Sequence, residues 1–182
     1  MTSLQNLREL LLRRSVRTGD FLLASGRRST YYIDARLTTM SAEGLQLVGD
    51  VALEAIRAAG WAPQAVGGLT LGADPVAYAI AMASLRRPPV IDAFSVRKTA
   101  KSHGAGKRIE GSFARGIPVV ITEDVITSGS SAIQAIEAVQ EEGGVVLGVV
   151  AVVDRQEGGR AAIEEMGVGV VSLATTSSLG LK

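Results

Sequence analysis

The sequence predicts an α/β fold in which a mostly parallel sheet is flanked by helices, preceded by a small N-terminal hood. Three observations predict it. Beyond residue 41, segments with helical spacing alternate with short apolar runs. Those runs are apolar at nearly every position, as in strands covered on both faces. A chain of 182 residues with 47% hydrophobic content can bury a core without disulfides or structural metal. Residues 1–182 are expected to form one domain, with residues 1–40 as a helix-plus-hairpin hood.

Leu4, Leu7, Leu11 and Leu12 recur at helical spacing. Beyond Gly19, residues 21–24 read as a short strand, and the turn-prone residues 25–29 lead into the β-prone Tyr31, Tyr32 and Ile33, so a hairpin is predicted. Ser41 is a plausible N-cap for a helix whose apolar positions Leu45, Val48, Ala52, Ile56 and Ala59 stop at Gly60. Strands are then predicted over 66–69, 90–96, 119–122, 145–153 and 168–173, and helices over 75–84, 131–142 and 160–166. Between Lys98 and Glu110 the pattern fails: the stretch is polar, contains Gly104 and Gly106, and has almost no apolar anchor. A mobile loop is expected there.

Composition narrows the chemistry. The chain has no cysteine and a single histidine, His103, so disulfides, thiolate nucleophiles and a histidine-based zinc site are disfavoured. Carboxylates, cations, hydroxyls and backbone amides remain. A formal charge of +1 gives no global field that would mark a binder of nucleic acid or of an anionic membrane. No stretch approaches the roughly 18 uninterrupted apolar residues of a membrane helix, and residues 1–6 lack a signal-like pattern, so a cytoplasmic location is expected.

The most informative stretch is 119–131, where an apolar run meets Glu123 and Asp124 and continues through Val125, Ile126, Thr127, Ser128, Gly129, Ser130 and Ser131 into a helix. Ligands of open α/β sheets bind at the carboxyl ends of strands, where these carboxylates are expected to fall. Amides at a helix N-terminus and the neighbouring hydroxyls suit a phosphate. Carboxylates beside a phosphate suit the vicinal hydroxyls of a ribose, so a ribose 5-phosphate is the expected ligand. The bland reading is an acidic turn capping a helix. A Walker-type loop is disfavoured because no Gly-Lys-Ser/Thr follows a glycine-rich turn.

This order of residue types resembles the binding signature for phosphoribosyl pyrophosphate (PRPP) of the type I phosphoribosyltransferases. The resemblance implies that fold, with Glu123 and Asp124 on the ribose hydroxyls, Thr127 to Ser131 around the 5-phosphate, and Val125 and Ile126 within the same PRPP-binding stretch. A second cluster, Arg97, Lys98, Lys101, His103, Lys107 and Arg108, reads by composition either as a solvated basic loop or as a cationic lid over a departing anion. Its order resembles the catalytic loop of orotate phosphoribosyltransferases. That implies Arg97 and Lys98 on pyrophosphate, with Lys101 and His103 closing over it, and catalytic roles for Lys101, His103 and Asp124. It also implies a homodimer in which the loop reaches the neighbouring subunit's site. Magnesium would be held mainly by PRPP, with no direct protein ligand.

The segment 24–34 resembles the same family's substrate hood, with Tyr31 and Tyr32 available to stack on a pyrimidine. A tyrosine pair in a hairpin is also ordinary packing. In the sequence Asp154-Arg155-Gln156-Glu157, Arg155 corresponds to the family arginine that pairs with the orotate carboxylate, and Thr127 would touch the base as well; a surface ion pair is the alternative. Two departures stand out: Ala24 replaces a lysine common before the hood's Ser-Gly, and residues 69–74 lack a lysine that some members carry. The resemblance implies that orotate and PRPP combine to give orotidine 5'-monophosphate, in pyrimidine biosynthesis. A purine phosphoribosyltransferase and a non-catalytic PRPP sensor are the rival readings.

Overall fold

The computed structural model describes residues 2–22, 26, 28–99 and 108–181. Lys101, His103 and Lys107 of the basic segment, and Ala24, Ser25 and Arg27 of the hood turn, lie outside the described residues. Helix α1 (Ser3–Arg14) starts at a capping box: the Gln5 amide donates to the Thr2 hydroxyl, and the Thr2 amide donates to the Gln5 side chain at 2.8 Å. Its buried face is Leu7, Leu10 and Leu11, whereas Leu12, expected inward, is 41% exposed.

Strands β1 (Val16–Leu22) and β2 (Arg28–Ile33) form a separate two-stranded antiparallel ribbon. Both strands start earlier than their apolar residues suggest, because residues 17–20 and 28–30 carry no apolar side chain to mark them. A short helix α2 (Arg36–Thr39), not foreseen, follows and is tied to α1 by the 2.7 Å Ser15–Thr38 hydroxyl contact. Helix α3 (Ala42–Ala58) is capped by Ser41, whose side chain accepts the Gly44 amide at 3.1 Å. It ends as expected at Gly60, which takes φ +75° while the Trp61 amide reaches back to the Ile56 carbonyl.

The remaining strands are β3 (Ala65–Leu69), β4 (Asp92–Val96), β5 (Ile109–Gly111), β6 (Pro118–Ile126), β7 (Val145–Asp154) and β8 (Val170–Thr175). They make one sheet in the order β5-β4-β3-β6-β7-β8, parallel except for β5. Helices α4 (Ala73–Arg86), α5 (Ser130–Glu141) and α6 (Gly159–Glu164) connect them, and a 3-10 turn (Ser177–Leu179) follows β8. Successive residues of β6 enter opposite cores: Val120 packs with α1, α3 and α4, while Val119 and Ile121 pack with α5 and α6. That explains the unbroken apolar runs, since each strand is covered twice.

Two departures from expectation bear on the site. Strand β6 continues four residues past Thr122, because the ten-residue β7 keeps pairing with it through Val125–Val153 and Ile126–Asp154. Glu123 and Asp124 are therefore strand residues, and not part of a turn. Part of the expected loop 98–110 is strand β5, paired antiparallel with β4, and the Arg97 amide donates to the Arg108 carbonyl at 2.8 Å. Three residues are too few to show periodicity in a sequence.

Candidate active site

Chain order reverses direction between β3 and β6, which makes their carboxyl ends a topological switch point. A cleft of about 340 Å³ lies there. One wall is the β3–α4 loop, Thr70, Leu71 and Gly72; the floor is Glu123, Asp124 and Val125; Thr127 and Ser131 close one end, and Arg155, Tyr32 and Lys98 reach it from other elements.

Glu123 is only 5% exposed. Its Oε1 accepts the Asp124 amide at 3.2 Å, and its Oε2 is buried without a hydrogen-bond partner. Burial, and then the adjoining Asp124 carboxylate, push its pKa well above the usual 4.5. Asp124 lies half-buried on the cleft side, with Oδ1 accepting the Val125 amide at 2.9 Å. Its carboxylate rests against the backbone of Gly72, where an added Cβ would fall 2.4 Å from Oδ1. The sequence shows this loop only as a single glycine, Gly72, before a helix; its approach to Asp124 is tertiary.

The turn after β6 is set by Gly129, which has φ +80° and caps α5. A Cβ there would lie 2.7 Å from the Gly159 carbonyl, and the Gly159 amide in turn donates to the Thr127 carbonyl at 2.9 Å. The amides that begin α5 are thus free of helical partners, as an anion site requires. Thr127 and Ser131 line the cleft, whereas Ser128 and Ser130 are exposed with hydroxyls 3.3 Å apart. The Ile126 side chain belongs to the core, and its carbonyl receives the Arg155 amide at 2.9 Å.

Arg155 is 9% exposed. One Nη donates to Glu157 at 2.8 Å, the guanidinium lies 5.5 Å from the centre of the Tyr31 ring, and the buried Nε has no hydrogen-bond partner. The ion pair that the sequence offered as an alternative is therefore present, and it fixes the arginine while leaving an edge of the fork to a further acceptor. Alternation along β2 separates the tyrosines: Tyr31 backs Arg155, while Tyr32 lines the cleft and packs on Phe21. Lys98 lines the cleft, but Arg97 does not and instead pairs with Glu110 at 3.6 Å. The expected contributions of Lys101 and His103 fall outside the described residues.

Two further cleft residues had no functional reading in the sequence beyond the hood motif. Asp34 and Arg36 form a two-point ion pair at 2.8 and 3.1 Å on the cleft wall, and the Arg36 hydrogen bonds hold the Asp34 carboxyl below its usual value. Among the described residues, no three His, Cys, Asp or Glu side chains group to hold a metal, and no helix is long and apolar enough to cross a membrane.

No family model matches the chain. It is similar to the orotate phosphoribosyltransferase of Aquifex aeolicus (strain VF5), with 45% identity over 182 residues and 98% of each chain covered. Its identity to the orotate phosphoribosyltransferase of Mycobacterium tuberculosis H37Rv is 47% over 175 residues, covering 96% of this chain and 95% of the other. The crystal structure of the M. tuberculosis protein in complex with PRPP superposes with a TM-score of 0.83 at 41% identity, covering 99% of this chain and 100% of that one. Sheet order, switch-point cleft and these likenesses define a type I phosphoribosyltransferase fold. Within that class, the chain belongs to the orotate phosphoribosyltransferase family.

Proposed function

We infer that the protein transfers the 5-phosphoribosyl group of PRPP to orotate, giving orotidine 5'-monophosphate and pyrophosphate, a step of pyrimidine nucleotide biosynthesis. The carrying observation is that Glu123, Asp124, Thr127, Ser131 and Arg155 meet in one cleft at the switch point. The amides and hydroxyls of residues 127–131 receive the 5-phosphate. Glu123 and Asp124 accept hydrogen bonds from the ribose hydroxyls. Arg155 takes the orotate carboxylate on its free edge, and Tyr32 lies beside the ring.

The bond from C1 to the pyrophosphate oxygen breaks with both electrons leaving on oxygen, and orotate N1 bonds to C1 as its proton passes to the departing pyrophosphate. Charge at C1 rises as the bond loosens, so catalysis consists of holding both reactants in line and stabilising the leaving group. Lys98 and Arg97 start the cationic segment, and Lys101 and His103 complete it over the pyrophosphate. The site fits a divalent cation carried in by the diphosphate: two adjacent carboxylates, one with a buried unpartnered oxygen, are too few to cage an ion but suit one already ligated by phosphate. Magnesium bound there would neutralise the diphosphate and favour its departure. PRPP-dependent loss of orotate, abolished by chelation and absent with adenine, guanine or hypoxanthine, tests the reading; turnover of a purine base instead would reject it. Lys101→Ala should lower kcat by about a hundredfold or more with a smaller change in PRPP binding. Unchanged turnover would remove the lid's catalytic role.

The working unit is a homodimer. Tyr78, Met82 and Leu85 form an exposed apolar stripe on α4, with Met82 and Leu85 each at least 60% exposed. Leu71, also 60% exposed, continues the stripe into the cleft loop, so a second copy seated there would adjoin the site. The N-terminal ribbon serves as the hood over the base, and a cytoplasmic location accompanies the pathway role.

A further inference from the structure

Beyond the arginine itself, the loop that carries it is held in an unusual way. Gln156 is the one described non-glycine residue with positive φ, at 59°. An L side chain takes this conformation at a cost, so something must hold it there. Its own amide donates to Asp154 Oδ1 at 2.7 Å, and its side-chain oxygen receives three donors from the segment after β8: the Thr176 hydroxyl at 2.9 Å, the Ser177 amide at 2.9 Å and the Ser177 hydroxyl at 2.6 Å. The Thr176 hydroxyl also lies 3.2 Å from the Arg155 carbonyl, and the Thr176 amide donates to the Asp154 carbonyl at 3.0 Å. Thr176 is 5% exposed and Asp154 3% exposed, so the Thr176 contact with the Arg155 carbonyl is shielded from water, while the two Ser177 bonds to Gln156 lie at the surface.

The arrangement runs in one direction. All three donors converge on the side-chain Oε1 of Gln156, and the residue they fix is the immediate neighbour of Arg155. On its other side, the Arg155 amide is fixed by Ile126 at the end of β6. The backbone of Arg155 is thus clamped between the strand that carries the acidic pair and the C-terminal 3-10 turn.

We propose that Gln156, with Thr176 and Ser177, is a positioning clamp that sets the guanidinium of Arg155 for the orotate carboxylate, making the C-terminal turn part of base selection. This rests on the assignment of Arg155 to orotate. The clamp touches neither substrate; it acts through the arginine's backbone, and the 5-phosphate loop is held by other bonds.

The test is steady-state kinetics on Gln156→Gly, Gln156→Met, Thr176→Val, the double variant Gln156→Met/Thr176→Val, and Arg155→Ala. Glycine tolerates the positive φ but removes the acceptor, methionine keeps the bulk and removes the acceptor, and valine replaces only the Thr176 hydroxyl with a methyl. The expected result is that Gln156→Gly and Gln156→Met each raise the KM for orotate by roughly tenfold and Thr176→Val by about threefold to fivefold. The KM for PRPP should stay within about twofold, and the double variant should be no worse than Gln156→Met by more than about twofold, because both changes break one unit. Orotate KM values unchanged in the Gln156 and Thr176 variants, while Arg155→Ala raises its own, would overturn the clamp and leave the arginine's role intact. Equal rises in both KM values with a lowered Tm would overturn it too, as simple destabilisation. An unchanged orotate KM in Arg155→Ala would remove the assignment beneath it. Thr176→Val is the smallest change and keeps the test decisive if a Gln156 variant fails to fold.

Discussion

Glu123 sits in the free protein at a cost. Its burial raises the carboxyl pKa, so the folded chain retains a proton that the unfolded chain gives up. Between the ordinary value of 4.5 and the raised folded value, stability therefore falls as pH rises, and above both the penalty is constant. Glu123→Gln removes that penalty. The variant is expected to melt higher than the parent at pH 8, with about 2–4 °C for each kcal/mol recovered, and to converge with it near pH 4. Turnover should fall at least about tenfold, because an amide replaces an acceptor of the ribose hydroxyls. Equal melting temperatures at pH 8 would sink this account. Glu123 was legible as a ligand from its neighbours in sequence, but its burial was not, since that depends on how far β6 continues alongside β7.

At the scale of elements, the loops around the cleft depend on glycine at two places. Gly129 holds φ +80° at the start of α5, with no room for a methyl against the Gly159 carbonyl. Gly129→Ala is expected to cost about 1–2 kcal/mol in stability. It should also abolish most of the rise in Tm that inorganic phosphate gives the parent by binding at the helix N-terminus. A full phosphate-dependent rise in the variant would place the anion elsewhere. Gly72→Ala acts on the other wall: the new methyl displaces the Asp124 carboxylate, so kcat/KM for PRPP should fall about tenfold or more, while the KM for orotate changes little. A lysine in this loop, present in some relatives of the family, would start from a backbone that here lies under Asp124. The sequence disclosed that a lysine was missing at 69–74 but not that the carboxylate takes up the space.

Across the whole molecule, long elements with strong periodicity could be read in advance and short ones could not. Helices α3 and α5 and strand β7 stand within a few residues of their expected bounds, because each carries a full apolar face. Helix α2 and strand β5 are four and three residues long, too short for a pattern to repeat, and exist because tertiary neighbours supply their partners. The candidate site was legible wherever its residues are adjacent in sequence. The separation of Tyr31 from Tyr32, the pairing of Arg97 with Glu110 and the clamp on Gln156 needed three dimensions. The dimer assignment makes its own demand: Lys101→Ala and Asp124→Asn proteins, each inactive alone, should regain about a quarter of parental activity when unfolded together and refolded as a mixture, since half the dimers would then carry one intact site. No recovery would mean that each subunit's basic segment serves its own cleft.

The hairpin formed by β4 and β5 has an evolutionary consequence. Because the Arg97 amide already meets the Arg108 carbonyl, the cationic segment leaves and rejoins the sheet through one shared doorway. Doubling the length of chain strung across such a doorway costs only about 0.6 kcal/mol. Insertions, deletions and changes of charge in that segment can therefore be sampled with little risk to folding, so turnover can drift among descendants of this scaffold while the sheet beneath it stays the same.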